Sequence, residues 1–367
     1  MKVLVTGASG FLGTHVSREL SRRGHTVLPF DIDTPESRLC ELVREANFIF
    51  HLAGVNRPRD PKEFYEGNAN LTERLVSVAK EKRGDTPILF SSSIQAERDN
   101  DYGRSKKMAE DILFQSGLPV YVYRLSNLFG RAGKPFYNSA AATFCHNIAR
   151  DLSITVTDPH IVIVYQFVED VASAWADLLE NGPFLGKKEP LSFEPAYLCS
   201  LGNLVATLQR FKAAIASPSR LPVIHDEFER KLFKTFCWYL SDDGSVFHYS
   251  RDARGTFEEI MKSARYGQVS ENLTYPRQSK GGHYHTRKEE IFYTVQGKVL
   301  VRQRNLGSQE IEETVQEGPL DEPIRIRPNA THDLRNVGGQ DALTLMWISE
   351  IYSPDTADTY RESVDVE

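Results

Sequence analysis

Three histidines and a glutamate in the C-terminal third of the 367-residue chain have the types and spacing of metal ligands. His283 and His285 are two residues apart, so on a β-strand both imidazoles point to the same face. Glu290 can return to that face across the adjacent turn, and His332 offers a fourth donor from a later strand. Imidazole nitrogens with a carboxylate suit a divalent first-row metal. We therefore predict a metal site here, with zinc as the first choice and iron, manganese or nickel as alternatives.

A tyrosine and a lysine near residue 100 could transfer a proton. Tyr102 and Lys106 stand four residues apart at the start of a predicted helix, which places them on one face. A phenol ionises at about pH 10, but an adjacent ammonium group and a cationic nicotinamide would favour the phenolate. The strand-end serines Ser91, Ser92 and Ser93 could hydrogen-bond the same substrate oxygen. Together these residues predict a site that interconverts an alcohol and a ketone.

The segment that opens the chain has the spacing of a dinucleotide-binding turn. After the first predicted strand, TGASGFLG leads directly into a helix. Glycines at this position let the backbone approach a pyrophosphate, whose charge is stabilised at the positive end of the helix. The cofactor-binding residues predicted here are Gly7, Ser9, Gly10, Phe11, Leu12 and Gly13.

Asp31 bears on the choice of nicotinamide cofactor. It lies at the end of the second predicted strand, about twenty residues beyond the glycines, where a carboxylate accepts a hydrogen bond from the adenosine ribose 2′-hydroxyl. That position favours NADH. Arg38 could receive the 2′-phosphate of NADPH, so both reduced cofactors stay open at this point.

The elements that must position these residues change in character along the chain. From Met1 to about Asp170, β-branched runs alternate with helical periodicity, which predicts a Rossmann-type α/β fold with a doubly wound parallel sheet. The pattern is mainly helical from there to about Leu240, and beyond Asp243 short alternating strands predict an all-β sandwich or barrel. We therefore predict an NAD(P)-binding domain at residues 1–243, with a substrate-binding part after about residue 165, and a second domain at 244–367. The last residues, rich in Asp and Thr, are predicted to form a surface tail.

Composition excludes several classes of partner. A net charge of −6 and a pI near 6.0 give no general attraction to nucleic acid, although a local cationic cleft for a small anion is compatible with them. No apolar run reaches the roughly 18 residues that span a bilayer, and the chain starts with a strand rather than a leader. We expect a cytoplasmic protein without membrane insertion, whose scattered cysteines are reduced and mostly buried.

Several motifs together resemble the extended short-chain dehydrogenase/reductase family, which acts largely on nucleotide sugars. They are TGASGFLG at 6–13, HLAG at 51–54, Asn68, the serine run, YGRSK at 102–106, YRLSNLFG at 123–130 and FVEDVA at 167–172. The resemblance covers about the first 240 residues. It therefore extends through the whole of the predicted parallel sheet and into the helical part that follows.

This resemblance implies a role for each matching residue. Tyr102 is the acid/base, and Lys106 lowers its pKa and holds the nicotinamide ribose. Ser93 orients the substrate carbonyl, with Ser92 as the second choice because the loop before the tyrosine is shorter than in most relatives. Further cofactor contacts are implied at Leu52, Ala53, Gly54 and Asn68, and substrate contacts at Asn127 and Arg124. His51 and Asn68 could instead be satisfied polar groups of the core.

The metal-ligand pattern resembles the cupin family, a small all-β jelly-roll barrel of two sheets. Its first motif, HxH-x4-E-x6-G, matches fully at 283–297. Its second motif, PxGxxH-x3-N, departs, because Pro328 lies one residue nearer to His332 than expected and Asn329 replaces the glycine. Asparagine tolerates a positive φ better than most residues, and Asn336 keeps its spacing, so we expect the turn to be preserved.

A further stretch, DARGTFE at 252–258, resembles the DxRGxFxE segment of deoxysugar epimerase cupins. In those proteins the segment helps to build a sugar-nucleotide pocket, which adds Arg254 to the predicted substrate contacts. Spacing alone does not identify the proton-transfer base, for which Tyr284, Lys280 and Tyr293 are candidates. The metal could act on the substrate or be structural.

The two domains together resemble the bifunctional capsular-polysaccharide epimerase/reductases of the CapF type, essentially from end to end. That resemblance implies C3 epimerisation followed by NAD(P)H-dependent C4 reduction of a UDP-2-acetamido-2,6-dideoxy-hexos-4-ulose. The product would be UDP-2-acetamido-2,6-dideoxy-L-talose, in the synthesis of UDP-N-acetyl-L-fucosamine for capsule or O-antigen. It also implies a homodimer. Two alternatives are a cupin that serves only dimerisation or sugar binding, and an NAD(P)-sensing protein without turnover.

Overall fold

The computed structural model describes residues 1–81, 86–182, 185–216, 221–241, 247–319, 321–352 and 357–366. The chain divides into two compact units. The first comprises Met1–Ala142 and His160–Ser200, and the second comprises Thr143–Pro159 and Leu201–Glu367. Each unit contains its own sheets and its own hydrophobic core.

The first unit is built on a parallel sheet, as predicted. Its strands are β1 (Lys2–Thr6), β2 (Thr26–Phe30), β3 (Phe48–His51), β4 (Ile88–Ser93) and β5 (Val120–Leu125). They are arranged in the order β2-β1-β3-β4-β5, and every neighbouring pair is parallel. Because side chains alternate along a strand, Val3 and Val5 face one core and Leu4 faces the other.

Helices cover both faces of this sheet. The helices described before residue 201 are α1 (Phe11–Arg22), α2 (Ser37–Glu45), α3 (Lys62–Phe64), α4 (Leu71–Glu81), α5 (Asp101–Phe114), α6 (Ala140–Ala149) and α7 (Val168–Asn181). Most of α6 belongs to the second unit. Val16 of α1 and Trp175 of α7 pack on the core of Val3, whereas Leu39 of α2 and Leu113 of α5 pack on the other core. The carboxyl ends of the strands therefore meet at one edge of a covered sheet, where a ligand site is expected.

Shorter elements complete the first unit. Tyr65–Asn70 form a π-helical stretch and Ile94–Glu97 a single turn of 3-10 helix. A small sheet has the order β6 (Asn127–Phe129), β7 (Val162–Phe167), β8 (Tyr197–Ser200). This sheet carries Asn127 just beyond the end of β5.

After residue 200, the described part of the second unit contains two helices and two antiparallel sheets, which agrees with the all-β texture predicted after residue 243. The helices are α8 (Leu201–Ala216) and α9 (Glu227–Leu240). The strands are β9 (Tyr249–Asp252), β10 (Gly255–Ser263), β11 (Gly267–Thr274), β12 (Ser279–Tyr284), β13 (Glu290–Gln296), β14 (Lys298–Asn305), β15 (Glu312–Glu317), β16 (Ile324–Ile326), β17 (Ala330–Asn336), β18 (Ala342–Ile348) and β19 (Tyr360–Arg361). The six-stranded sheet has the order β16-β13-β18-β11-β10-β9, and the five-stranded sheet has the order β15-β14-β17-β12-β19.

Helix α9 is joined to the six-stranded sheet by ion pairs. Lys234 Nζ lies 2.7 Å from a carboxylate oxygen of Glu258 and 3.2 Å from one of Glu271. Arg230 contacts the other oxygen of Glu271 at 2.7 Å. These contacts join α9 to the β-strands. Both α8 and α9 belong to the second unit, whose main segment begins at Leu201, before the boundary predicted after residue 243. The amphipathic pattern of a helix shows that one face is buried but not which neighbour buries it.

The described end of the chain, residues 357–366, lies mostly on the surface, as predicted, but two of its side chains are buried. Strand β19 pairs with β12, and Asp358 and Val364 are each 1% exposed. The Asp358 carboxylate can be buried because it is hydrogen-bonded to Thr286.

Two further features concern the helices and the cysteines. None of the helices described above combines the length and the apolar character needed to span a bilayer. The four cysteines, all in described segments, form no disulfide: Cys145 and Cys237 are buried, and Cys40 and Cys199 are half-buried. Burial raises the pKa of Cys145 and Cys237, so both favour the protonated thiol.

Candidate active sites

The glycine-rich turn joins β1 to α1. Gly7 has a φ of +68°, and a Cβ added there would lie 2.8 Å from the backbone of Ala53. At Gly13 a Cβ would lie 1.9 Å from the carbonyl oxygen of Gly7. Helix α1 begins after Gly10 with no side-chain cap, so the N–H groups of its first turn are left for an anion. A pyrophosphate is the anion that this geometry suits.

Asp31 follows β2 and contacts the same turn. Its carboxylate accepts hydrogen bonds from the Ser9 N–H at 3.0 and 3.1 Å and from the Ser9 hydroxyl at 2.9 Å. The structure therefore brings these two predicted cofactor residues together. A carboxylate has about four acceptor positions, so Asp31 can hold Ser9 and still accept a ribose hydroxyl.

A cleft of about 490 Å³ lies beside the glycine turn. The predicted site residues that line it are Gly7, Gly10, Phe11, Leu12, Gly13, Leu52, Gly54, Ser92, Ser93, Tyr102, Lys106 and Asn127. Among the described residues, those predicted for the site but absent from its lining are Ser9, Asp31, Ala53, Asn68 and Arg124. Most of the predicted catalytic and cofactor residues thus share one cavity.

Tyr102 is positioned by the cap of α5. The Asn100 side chain accepts a hydrogen bond from the N–H of Gly103 at 2.8 Å, which starts the helix and places Tyr102 in its first turn. Burial raises the pKa of Tyr102, and a hydrogen bond with Ser93 opposes that rise. Burial disfavours the phenolate, whereas the predicted lowering of the pKa depends on the Lys106 ammonium together with a cationic nicotinamide. A phenol that keeps its proton is suited to donate it.

Lys106 lies one turn further along α5 and is 4% exposed. Its Nζ donates a hydrogen bond to the carbonyl oxygen of Ser91 at 3.0 Å and lies 4.7 Å from the ring centroid of Phe90. Burial lowers the pKa of Lys106 to about 8, against the opposing effect of the Glu110 carboxylate. A Cβ on Gly54 would lie 3.1 Å from Nζ, so the glycine leaves room for the lysine to reach the cleft.

Ser92 and Arg124 both contact the buried carboxylate of Glu110. The Ser92 hydroxyl donates to Oε1 of Glu110 at 2.5 Å, and Arg124 binds both oxygens of that carboxylate, at 2.9 and 2.7 Å. Arg124 also contacts Glu97 at 2.6 Å. Because two carboxylates hold its guanidinium, the structure does not direct Arg124 into the cleft, as the predicted substrate contact requires. Ser93 is therefore the better placed of the two predicted serines.

Replacing Glu110 with alanine is expected to lower the free energy of unfolding of the first unit by about 3–5 kcal/mol, because it leaves the Arg124 guanidinium without its buried partner. Urea unfolding can be followed in a Trp238→Phe, Trp347→Phe background. In that background Trp175, which lies in the core of the first unit, is the remaining tryptophan.

Glu97→Ala is the matched control for this experiment. It removes an exposed carboxylate from the same arginine, and such a loss costs under about 1 kcal/mol. Equal destabilisation by Glu97→Ala and Glu110→Ala would contradict the role assigned to the buried pair.

His51 and Asn68 have the contacts of satisfied core groups, which is one of the two roles considered for them. The His51 ring nitrogens are hydrogen-bonded to the hydroxyls of Thr6 at 2.8 Å and Thr72 at 2.9 Å. Burial lowers the pKa of His51 to about 3, so its ring is neutral. The Asn68 side chain binds both the N–H and the carbonyl of Val55, at 3.0 and 3.1 Å. Asn68 therefore shapes the cleft through Val55, which lines it.

The second unit contains a cavity of about 850 Å³ lined by residues of both sheets. His283 of β12 and His332 of β17 are cross-strand partners in the five-stranded sheet, and His285 follows β12. Glu290 begins β13 in the six-stranded sheet. The candidate ligand atoms of these residues all lie within 4.8 Å of one another. The structure therefore brings the four predicted metal ligands together.

Backbone carbonyls orient two of the histidine rings. Nδ1 of His285 donates to the carbonyl oxygen of Asp358, and Nδ1 of His332 to that of Ala330 at 3.3 Å. Their Nε2 atoms face Oε2 of Glu290, at 3.4 and 3.0 Å. These three atoms are buried and make no well-aligned hydrogen bond within the described part of the chain. A divalent cation would satisfy all three, so the donor set fits a metal.

The protonation states of His283 and Glu290 also suit a metal. Burial lowers the pKa of His283 to about 4, with a smaller effect of His332, so the ring is neutral. Burial alone would raise the pKa of Glu290, but the facing His285 and His332 hold it well below its usual range. Metal ligands must be neutral imidazole and ionised carboxylate, which are the forms favoured at His283 and Glu290. Burial alone would lower the pKa of His285, but the facing Glu290 carboxylate raises it, so a metal would have to displace a proton there.

The turn before His332 has the predicted backbone. Asn329 has a φ of +63°, which confirms that asparagine takes the conformation of the missing glycine. Asn336 donates to the carbonyl oxygen of Thr274 at 2.8 Å. The departure from the cupin pattern therefore leaves His332 in the cluster.

Arg254 lines the second cavity, as predicted, and forms an ion pair with Asp252 at 2.6 Å. The glutamate position of the DxRGxFxE pattern is occupied by Glu259, which also lines the cavity. The neighbouring Glu258 points instead to Lys234 of α9. Side chains alternate along β10, so only one of the two glutamates can face the cavity.

Of the three candidates for the proton-transfer base, Lys280 lines the described part of this cavity, whereas Tyr284 and Tyr293 do not line it. Burial lowers the pKa of Lys280 to about 8. Its Nζ donates to three protein acceptors, namely the carbonyl oxygens of Thr256 and Leu273 and the side-chain oxygen of Asn272. With its three donors engaged, Lys280 stabilises the strands around it, and the proton-transfer base stays unassigned.

Comparison with known proteins places this arrangement in a family. Residues 3–189, more than half of the chain, match the model of the NAD dependent epimerase/dehydratase family. The chain belongs to this family. Residues 250–360 match the polysaccharide biosynthesis C-terminal domain.

This epimerase/dehydratase family member has relatives of similar length. It is 39% identical, over 99% of both chains, to the UDP-2-acetamido-2,6-beta-L-arabino-hexul-4-ose reductase of Pseudomonas aeruginosa. The crystal structure of the capsular polysaccharide assembling protein CapF from Staphylococcus aureus matches with a TM-score of 0.59 and 34% identity, covering 99% of this chain and 100% of that one. A UDP-glucose 4-epimerase from Thermotoga maritima shares the fold at 19% identity and a TM-score of 0.55, covering 65% of this chain and 98% of its own. The resemblance to CapF-type proteins is therefore confirmed.

The cleft of this family member also contains residues that the motifs did not indicate. Arg98 and Lys134 line it together with Lys106, and no carboxylate lines its described walls. The hydroxyl of Ser126, which also lines it, is buried without a hydrogen-bond partner in the described chain. These residues lie in loops between elements, where sequence periodicity carries no signal. Their charge provides the local cationic cleft that the overall composition left open.

Proposed function

We propose that the protein is a bifunctional nucleotide-sugar enzyme. It epimerises C3 and then reduces C4 of a UDP-2-acetamido-2,6-dideoxy-hexos-4-ulose, yielding UDP-2-acetamido-2,6-dideoxy-L-talose for UDP-N-acetyl-L-fucosamine synthesis. The observation that carries the proposal is the pairing of two cavities. One holds Tyr102, Ser93 and Lys106 beside a glycine turn, and the other holds the histidine–glutamate cluster. A 4-keto group serves both, because it acidifies the C3–H bond and accepts hydride at C4.

In the first unit, Tyr102 protonates the C4 oxygen. A bound reduced nicotinamide supplies the hydride, and Ser93 holds the ketone oxygen next to the phenol. The raised pKa of Tyr102 keeps its proton in place until the oxygen becomes an alkoxide. Arg98 and Lys134 favour anionic ligands such as a sugar diphosphate and a dinucleotide. The similarity to a full-length UDP-sugar hexulose reductase supports this assignment.

We assign the second unit to the cupins and its cavity to C3 epimerisation. Two antiparallel sheets, the complete first motif and the converging ligand atoms support the assignment. A zinc ion bound there would draw electron density from the C4 ketone and stabilise the enolate formed when the C3 proton leaves. A structural ion is the alternative, because all four ligand positions come from the protein.

NADH is the favoured cofactor on structural grounds. Asp31 lies beside the glycine turn, where it can accept the ribose hydroxyl. Arg38, the candidate for a 2′-phosphate, forms an ion pair with Glu41. The choice between NADH and NADPH, the homodimer and the cytoplasmic location all stay predictions.

Deuterium labelling tests the two activities separately. The 4-keto substrate is prepared by dehydrating UDP-N-acetylglucosamine and is incubated with the protein in D2O without cofactor. We expect deuterium at C3, because the enolate is reprotonated from solvent. Addition of NADH or NADPH to parallel samples should then give cofactor oxidation and a 6-deoxy-talose product identifiable by NMR.

Two outcomes distinguish the alternatives. Reduction without C3 labelling would make the second unit a sugar-binding or dimerisation module. Binding of NAD(P)H with neither labelling nor oxidation would refute the enzymatic proposal and leave a cofactor sensor.

A further inference from the structure

The C-terminal segment, residues 357–366, makes several polar contacts with residues in and next to the histidine cluster. Strand β19 adds to the edge of the five-stranded sheet, where Arg361 is the register partner of His283. The Glu362 N–H donates to the carbonyl oxygen of Gly282 at 3.1 Å, and its own carbonyl accepts from the Thr331 hydroxyl at 2.6 Å. Both contacted residues are next in sequence to a metal-ligand candidate. The segment therefore lies directly beside the cluster.

Asp358 is the residue of this segment with the closest link to the cluster. Its carbonyl oxygen accepts a hydrogen bond from Nδ1 of His285. A carbonyl accepts only, so this bond requires the proton on Nδ1 and leaves the Nε2 lone pair directed at the cluster. Thr359, the next residue, lines the cavity and has its hydroxyl 3.4 Å from the same Nδ1.

The side chain of Asp358 holds the loop between His285 and Glu290. One carboxylate oxygen accepts from the Thr286 N–H at 3.0 Å and from its hydroxyl at 2.6 Å. The other accepts from the N–H groups of Arg287 at 2.8 Å and Lys288 at 3.2 Å. Asp358 is 1% exposed, so these bonds are shielded from water and difficult to replace. One residue thus fixes both a ligand ring and the turn that brings the carboxylate ligand to it.

We propose that Asp358 is a positioning residue for the metal site, acting through His285 and residues 286–288 to set metal affinity. The proposal rests on the metal site assigned under the proposed function. The carboxylate anchors the segment, and the anchored segment presents the carbonyl that selects the imidazole tautomer. Residues that orient metal ligands in this way typically change metal affinity by roughly 10–100-fold when they are replaced.

The test measures zinc affinity of the full-length protein by competition with a fluorescent chelator. We expect Asp358→Ala to weaken zinc binding by roughly 10–100-fold. Asp358→Asn retains one acceptor oxygen and should give a smaller loss. Thr286→Val removes only the hydroxyl donor to that carboxylate and should change affinity in the same direction.

Asp365→Ala is the matched control. Asp365 belongs to the same segment, and its carboxylate pairs with Arg302 at 2.5 Å rather than with the loop of the cluster. It should leave zinc affinity unchanged. Thermal unfolding with and without zinc adds a second measurement. Zinc should raise the Tm of Asp358→Ala by less than it raises the Tm of the wild type. This difference should be larger than the loss of Tm that the substitution causes in the metal-free protein.

The outcomes separate this inference from the proposed function. Wild-type protein that binds no zinc would overturn the proposed metal site and the inference with it. Wild-type protein that binds zinc with the same affinity as Asp358→Ala would overturn the inference alone. A lower metal-free Tm with unchanged zinc affinity would also overturn it, because that result describes a purely structural residue.

Discussion

Tyr102→Phe should lower the rate of NAD(P)H-dependent reduction by roughly 10²–10⁴-fold, because it removes the proton donor of the reductase site. The ring itself should stay in place, since it packs against Phe64 with centroids 5.6 Å apart. Cofactor affinity should therefore change little. Single-turnover oxidation of the reduced cofactor measures the chemical step, and cofactor titration by fluorescence measures binding.

Tyr65→Phe provides the control for this substitution. Tyr65 also carries a phenol close to α5, but its hydroxyl donates to Asp101 at 2.9 Å and it does not line the described cleft. Its loss should leave reduction within a few-fold of wild type. If Tyr102→Phe reduced the keto sugar at the wild-type rate, the assignment of the acid/base would be abandoned.

Replacement of His332 with alanine should remove both the bound metal and the C3 labelling. His332 is 1% exposed, and its Nε2 lies 3.0 Å from the Glu290 carboxylate, so alanine removes a buried donor from the cluster. Loss of a direct ligand should weaken metal binding by more than the roughly 10–100-fold seen for supporting residues. Metal content by mass spectrometry and C3 deuterium incorporation by NMR are the measurements.

Two comparisons make the His332 result specific. His225→Ala removes an exposed histidine of the same unit and should retain metal and labelling. The His332→Ala protein should still reduce a 4-keto sugar that already has the product configuration at C3, because the reductase residues lie in the first unit. Retention of stoichiometric metal by His332→Ala would exclude it as a ligand.

The sequence predicted the parts of both sites that depend on spacing within one element or across one turn. Gly7 and Gly13 are read from a strand-turn-helix pattern, and Tyr102 and Lys106 from one helical turn. The spacing of His283, His285 and Glu290 similarly depends on one strand and one turn. In each case local backbone geometry determines which side chains share a face.

The contacts that the sequence did not predict join residues far apart in the chain. The buried partner of Arg124 is Glu110, on an adjacent helix, and nothing in the spacing distinguishes that role from a substrate contact. Asp358 contacts His285 although the two residues are 73 positions apart in the sequence. The composition of the segment around Asp358 predicted only a surface tail. The pKa of Tyr102 also depended on burial, which only the packed structure determines.

The ligand candidates of the second cavity are divided between its two sheets. His283 and His332 belong to the five-stranded sheet, whereas Glu290 belongs to the six-stranded one. A cation bound by these residues would cross-link the two sheets, so the sheets could separate only after the cation is released. At a free concentration one hundred times the Kd, such binding adds about 2.7 kcal/mol to the folded state. The free concentration of that ion in the cell would then determine the stability of the second unit as well as its activity.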